Sequence, residues 1–435
     1  MNRETTARRT ARPEAAAQCP RDGSVKTGFR APARSAEELV FWNYADSRVA
    51  TERTELPFSP LFSVVCGCVR ERSMSPESIS LARRRADELS GDAGVVEGPL
   101  QGYHHETYVF PLPGEQVRWK CREPRPGPLW FDRRCFASEE ELLRALQGRV
   151  DGIPDLIQAG SAGLQRFIEG ETLGALYGSG SEIPSSLAGQ IVSLFGQLAR
   201  VRPDSLIAKR TCTSDDRAAE GDTARFLERL VLFTEERVYL RNMPDFKGLF
   251  YDLGLDGASF GKLREHVSGL TRRPFCLLHA DLHRENFVVD GAGRLWTIDW
   301  ELAMFGDPLY DLATHLYLMR YPKDQERRMT ERWCETVEDV APGSSAGWEA
   351  DLPKLLAYKR AQSVFTDVIR TALSLTEEPE VDEHLLVRAG GGLQQVLHAA
   401  TEPLGIESPT VEDVTTSLEK WYFKSYTPVG GMRRP

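Results

Sequence analysis

Two acids, Asp281 and Asp299, stand 18 residues apart in the chain, and what lies between them constrains the fold more than any other stretch. Two short apolar runs, Phe287–Val289 and Leu295–Ile298, flank an Asp290-Gly291 pair, the signature of a hairpin. The end of a loop, two short strands and a tight turn fit this length and fold the acids back beside each other. On both sides the apolar spacing is helical: Leu187–Ala199, Glu220–Tyr239 and Phe260–Leu270 before the block, and most of Tyr310 to Tyr422 after it. Strand-like pieces come earlier, at Val95–Glu97, Thr107–Pro111, Gln116–Arg122 and Leu164–Ile168. Two helices accompany them. One lies near Ile79–Leu89, opened by Ser75-Pro76-Glu77-Ser78; the other is Ser138–Leu146, with Ser138 and Glu141 as a capping box. The chain reads as α+β, a small strand-rich lobe followed by a larger, mainly helical one.

At 435 residues there is room for both lobes and an extension. Residues 1–73 are Arg-rich and Pro-punctuated without a sustained period, and read as a disordered extension; Met74 is an alternative start. Residues 74–170 are expected to form the N-lobe and 171–425 the helical C-lobe. No apolar run approaches the roughly 20 residues of a membrane span, and the N-terminus lacks the apolar core of a secretory signal. The net charge of −10 argues against a nonspecific nucleic-acid binder, which needs clustered cations. Eight cysteines in so long a chain make no dense disulfide framework, and Cys66-x-Cys68 has no matching pair to complete a zinc site. A cytoplasmic location is the expectation.

The run Leu278-His279-Ala280-Asp281-Leu282-His283-Arg284-Glu285-Asn286, followed by Ile298-Asp299-Trp300-Glu301, carries the chemistry. Phosphoryl transfer needs a carboxylate to orient the attacking hydroxyl and accept its proton late, and oxygen ligands for Mg²⁺. Asp281 is placed for the first task, and Asn286 and Asp299 for the second. H-x-D-x-x-x-x-N followed by I-D-W-E resembles the aminoglycoside phosphotransferase/choline kinase superfamily, with its protein-kinase-like fold. Gly306-Asp307-Pro308-Leu309-Tyr310-Asp311-Leu312-Ala313 is similar to a second segment of that family. The resemblance implies that His279 and Asp311 support the catalytic loop, Asp311 by bracing its backbone. It also implies an acceptor lying against the helical lobe, with Trp300 and Glu301 as substrate candidates; Asp367 is a further acid on that side.

A kinase-type nucleotide site needs a strand lysine on the phosphates and a helix glutamate to orient it. Lys120 fits the first place, with Arg118 and Arg122 on the same strand face as alternatives. Glu140 is chosen for the second, with Glu141 next. Gly98 and Gly102 sit in the segment expected to cover the phosphates, and no Walker-type G-x-x-x-x-G-K-[ST] occurs. The run Gln165 to Leu173 resembles the inter-lobe hinge, where backbone groups near Arg166, Phe167 and Ile168 would bind the base. The expected activity is therefore Mg²⁺- and ATP-dependent phosphorylation of a hydroxylated small molecule, with GTP as a possible donor. An aminoglycoside-like or other natural-product antibiotic, hence antibiotic resistance, is the first expectation. The alternatives are a metabolic kinase of choline, a sugar derivative or an amino alcohol, and a nucleotide-binding regulator or pseudokinase scaffold. No D-F-G or A-P-E follows Asp299, which disfavours a protein kinase. The sequence leaves the oligomeric state open.

Overall fold

The computed structural model describes residues 80–100, 105–125, 133–159, 162–214, 216–378 and 381–426. The expected extension 1–73, the Ser75–Ser78 cap and Gly102 lie outside them. Helix α1 (Leu81–Ser90) starts at Ser80, whose hydroxyl accepts the Arg83 N–H at 3.1 Å, and stops at Gly91 in the left-handed region. Strands β1 (Glu97–Leu100), β2 (His105–Pro111) and β3 (Arg118–Pro124) follow. Then come α2 (Glu139–Leu146), β4 (Leu156–Ala159) and β5 (Ala162–Arg166). The five strands form one antiparallel sheet in the order β1-β2-β3-β5-β4. Period-two alternation on β3 buries Trp119 and Cys121 against Ala82 and Ala86 of α1, together with Tyr108, Phe110 and Leu164. Arg118, Lys120 and Arg122 are thereby placed on the opposite face.

Gly170 (φ 153) leads into β6 (Glu171–Thr172) and α3 (Leu173–Leu176). The helical part then runs through α4 (Ser185–Arg200), α5 (Thr223–Phe233), α6 (Arg241–Asp252) and α7 (Gly257–His266). The helix expected from Glu220 starts later, capped by Asp222. It also passes through a π-helical stretch, Thr234–Leu240, before continuing as α6. Three short strands follow, β7 (Cys276–Leu278), β8 (Phe287–Val289) and β9 (Leu295–Thr297), then β10 (Met304–Gly306). Strand β8 pairs with both β6 and β9, and β7 with β10. The hairpin turn is wider than a two-residue D-G turn. Asp290 accepts the N–H groups of Ala292 (2.9 Å) and Arg294 (3.0 Å), and the left-handed residue is Gly293 rather than Gly291.

Helices α8 (Pro308–Met319), α9 (Lys323–Val340), α10 (Trp348–Glu377), α11 (Glu383–Ala399), α12 (Thr401–Leu404) and α13 (Val411–Tyr426) complete the chain. The 30-residue α10 is the spine of this part. Its Phe365 stacks on Phe260 at 4.5 Å, and Val364, Val368 and Ile369 are fully buried. Burying each such side chain is worth roughly 1.5–3 kcal/mol. Trp421 stacks on Phe246 at 5.2 Å, a core contact. No helix among the described residues is long and apolar enough to cross a membrane.

Candidate active site

The loop between β7 and β8 is held from below. Asp311, on the first turn of α8, accepts the backbone N–H of His279 at 3.1 Å and of Ala280 at 2.7 Å. Ala280 is in the left-handed region (φ 67), which turns the chain so that both amides point at one carboxylate. Burial pushes the Asp311 pKa up to about 7 against these two bonds. His279 is fully buried, its Nε2 3.1 Å from the Ile298 carbonyl, and burial lowers its pKa to about 4. A neutral imidazole facing a carbonyl must carry its proton on Nε2.

Asp281 sits at the head of this loop. Its Oδ2 accepts from Asn286 Nδ2 at 3.1 Å and lies 3.5 Å from His283 Nε2; Asn286 Nδ2 also reaches the Asp281 carbonyl at 2.9 Å. His283 Nδ1 accepts the Glu285 N–H at 3.2 Å, so the ring proton that remains is on Nε2, facing Asp281. Burial alone would raise the Asp281 pKa, but His283, and His279 and Lys359 behind it, bring it down to about 2. Oδ1 accepts no hydrogen bond among the described residues.

Asp299 follows β9 in the left-handed region (φ 61), is exposed, and lies close enough to Asp281 for the two charges to repel. Its carboxylate makes no hydrogen bond or ion pair among the described residues. Low-dielectric surroundings, with Glu139 and Glu301 close by, lift its pKa to about 6. Two hard oxygen donors, Asp299 and the Asn286 amide oxygen, are therefore available; the Asn286 amide nitrogen is already committed to Asp281. That set suits Mg²⁺, which takes one or two protein ligands and completes its shell with water and phosphate oxygens. Among the described residues no cluster of three or more His, Cys, Asp or Glu forms a closed metal cage.

Lys120 faces the same region from β3. Burial lowers its pKa, opposed by Glu139 and Asp299. The acid that turns inward is Glu139, not Glu140. The Glu139 carboxylate is buried, accepting from Arg122, from Gln165 Nε2 at 2.7 Å and from the Trp300 N–H at 2.7 Å. Burial would raise its pKa, yet Arg122, Lys120 and these donors hold it below the usual value. Glu140 instead accepts the Ser138 hydroxyl at 2.6 Å, with Arg122 3.6 Å away. The reason is helical geometry: the first residue of α2 points at the sheet and the second points along the cap. Glu301 is also committed, to His105 Nδ1 (2.9 Å), Arg122 Nη1 (2.8 Å) and Arg134. These partners bring its pKa to about 2 against the effect of burial. Trp300 is 1% exposed, its Nε1 donating to the Thr297 carbonyl at 3.0 Å. The polar groups of Trp300 and Glu301 are thus engaged within the protein.

Of the hinge residues, Arg166 and Phe167 donate their N–H to Asp155 and Arg118 carbonyls, both at 2.8 Å. The Ile168 N–H has no acceptor among the described residues. Gly98 (φ 133) has a packing role: a Cβ there would meet the Thr107 carbonyl oxygen and Tyr108 at 2.8 Å. Sequence reasoning missed His283, Arg134 and the buried Arg273, and read His105 as a turn histidine rather than a partner of Glu301. Arg273 makes two bonds at 2.7 Å to Asp307, the cap of α8, and one at 2.8 Å to Asp351. The Asp307-Pro308 pair carried the only legible signal for that anchor, as a cap followed by Pro at the first helical position. A cavity of about 890 Å³ near Asp252, Lys262 and Asp413 shares no residue with this set.

A strand-rich lobe with Lys120 on β3 thus accompanies a loop carrying Asp281 and Asn286 and a hairpin followed by Asp299. The chain belongs to the phosphotransferase enzyme family (APH), whose profile matches residues 96–350, more than half of its length. It is also similar to solved structures, each at low identity. Macrolide 2'-phosphotransferase MphH from Brachybacterium faecium is 15% identical, covering 74% of this chain and 99% of that one, with a TM-score of 0.44. A choline/ethanolamine kinase family protein from Mesorhizobium loti is 17% identical, covering 78% and 98%, TM-score 0.43. APH(2")-IIa in complex with gentamicin is 17% identical, covering 74% and 99%, TM-score 0.45. No curated protein sequence matches the chain.

Proposed function

We propose that the chain transfers the terminal phosphoryl group of ATP to a hydroxyl of a small natural-product-like molecule, such as an aminoglycoside-type antibiotic. In this reading 74–170 carry the nucleotide and 171–425 the acceptor. The observation that carries it is the state of the Asp281 carboxylate. Asn286 and His283 hold Oδ2, while Oδ1 is left for an incoming hydroxyl. A carboxylate with a pKa near 2 is a poor base toward an alcohol at rest. It orients the hydroxyl first, and takes the proton once bond formation to phosphorus has made that proton acidic. Asn286 and Asp299 would hold Mg²⁺, which neutralises charge developing on the phosphate oxygens. Lys120 supplies a cation on the nucleotide side, and the Ile168 N–H offers a donor to the base. His279 and Asp311 keep the loop in register.

Thermal unfolding with ATP or GTP, with and without Mg²⁺, tests the site. At a ligand concentration a hundred times Kd, stabilisation is about 2.7 kcal/mol. A Mg²⁺-dependent rise that weakens in Asp299→Asn supports the assignment; no rise with either nucleotide overturns it. ADP release across a panel of aminoglycosides, macrolides, choline, ethanolamine and sugars then identifies the acceptor class. Asp281→Asn is expected to lower kcat by about 10²–10⁴-fold while nucleotide binding persists.

A further inference from the structure

Outside the cleft, two cysteines far apart in sequence are brought together. The segment before α2 and the loop after α4 run antiparallel through a bridge between Phe136 and Arg210. The Ala137 N–H donates to the Lys209 carbonyl at 2.9 Å, and the Thr211 N–H to the Cys135 carbonyl at 3.0 Å. This pairing sets Cys212 against Cys135: its Sγ is 3.8 Å from the Cys135 carbonyl oxygen. Both are free thiols, Cys135 buried and Cys212 half-buried. Arg217, whose Nη2 donates to the Cys212 carbonyl at 2.7 Å, and Arg133 surround the outer sulfur with positive charge. A structural cysteine would have apolar neighbours; a half-exposed thiol between two guanidinium groups and next to a second thiol is set up to react.

We propose that Cys135 and Cys212 are a redox modification site, which a low-molecular-weight disulfide converts into an intrachain disulfide with Cys212 as the attacking sulfur. Cys212 is the more ionised of the two: its contact with the Cys135 thiol, and then Arg217, bring its pKa to about 5, while the same contact and burial raise that of Cys135. In the first step the Cys212 thiolate attacks one sulfur of the small disulfide RSSR. The S–S bond breaks, one RS⁻ leaves and takes a proton from water, and Cys212 carries the other half as a mixed disulfide. The negative charge that had held the Cys135 proton is then gone. Cys135 loses its proton to solvent and attacks the Cys212 sulfur, expelling the second RS⁻, which is protonated in turn. Two cysteine thiols are oxidised and one RSSR is reduced to two RSH, so hydrogens and electrons balance. The crosslink would fix the segment carrying Arg134, one of the three groups that hold Glu301.

The test uses the full chain and oxidised glutathione near neutral pH, followed by peptide mapping without reduction. The expected product is a Cys135–Cys212 linked peptide pair two hydrogens lighter than the separate peptides. Cys135→Ala should stop at glutathione on Cys212, and Cys334→Ala should give the same crosslink as the unmodified sequence. Iodoacetamide should label Cys212 at least about tenfold faster than Cys334. Cys334 is also half-buried, but burial pushes its pKa up to about 12. Glutathione that persists on Cys212 in the unmodified sequence, pairing of Cys212 with another cysteine, or labelling no faster than Cys334 would each overturn the proposal. The crosslink is read in the unmodified sequence, so a variant that fails to fold leaves the test decisive.

Discussion

Arg122 shows how one side chain can decide what its neighbours do. It takes the inward glutamate of α2 and the acid after Asp299 together, leaving Lys120 two residues earlier with charge around it but no direct ion pair among the described residues. Removing one partner of a buried ion network costs about 3–5 kcal/mol because a charge is left unpaired. Arg122→Met is therefore expected to destabilise by about that amount, and Arg122→Met with Glu139→Gln to recover part of it, as read from denaturant unfolding. His315 gives a pH signature. Its Nδ1 donates to the Leu282 carbonyl at 2.9 Å, its Nε2 accepts from Tyr321 at 3.0 Å, and burial lowers its pKa from 6.5 to about 4. The unfolded chain binds the extra proton, so His315 contributes stability above pH 6.5 that is lost as pH falls toward 4. Unfolding free energy measured across that window should lose up to about 1.4 kcal/mol per pH unit of slope in His315→Gln. The placement of Asp281 and Asn286 on one loop and of Asp299 beyond the hairpin was legible because local spacing sets it. The choice of Glu139 over Glu140 was not, because it depends on how α2 rotates against β3 and β5.

Elements were legible where periodicity was strong. Strands β1, β2, β3 and β5 and helices α1, α2 and α4 fall within a few residues of their expected places, since alternation and capping are local signals, whereas β4 (Leu156–Ala159) was not expected. Misplacements have physical causes: a four-residue span after Asp290 where a D-G turn was expected, and a π-helical stretch that joins α5 to α6. The close approach of the two lobes could not be read at all. At Gly170 a Cβ would lie 2.3 Å from the Val289 carbonyl oxygen, because the chain leaving β5 runs directly over the hairpin that carries Asp299. Gly170→Ala is expected to cost about 1–3 kcal/mol from the backbone conformation alone. Overlap with β8 adds to that, lowering Tm and nucleotide stabilisation together; an unchanged Tm would mean that β6 and β8 are not held as described.

Across the whole molecule, the helical part is fastened at one buried arginine. Arg273 is 1% exposed and joins the approach to β7, the cap of α8 and the start of α10 through Asp307, Asp351 and the Ala346 carbonyl. Arg273→Met should destabilise by about 3–5 kcal/mol. The exposed helix pair Arg327–Glu331, 2.9 Å apart, should matter by less than about 1 kcal/mol when Arg327 is replaced. Comparing the two Tm values separates a fastening role from general charge removal. Composition foresaw neither, because net charge counts both arginines alike and burial does not.

The left-handed residues Ala280 and Asp299 also bear on how such a chain can diversify. Ala280 and Asp299 occupy conformations that β-branched side chains adopt only with strain. Drift at position 280 is confined to Gly, Ala and the few residues that tolerate this backbone. At 299 the residues that share that tolerance, Asn and Gly, give up the charge. A lineage acquiring a new acceptor therefore has little freedom in the loop proposed to perform the transfer. Its variation is channelled into the helices that face that loop.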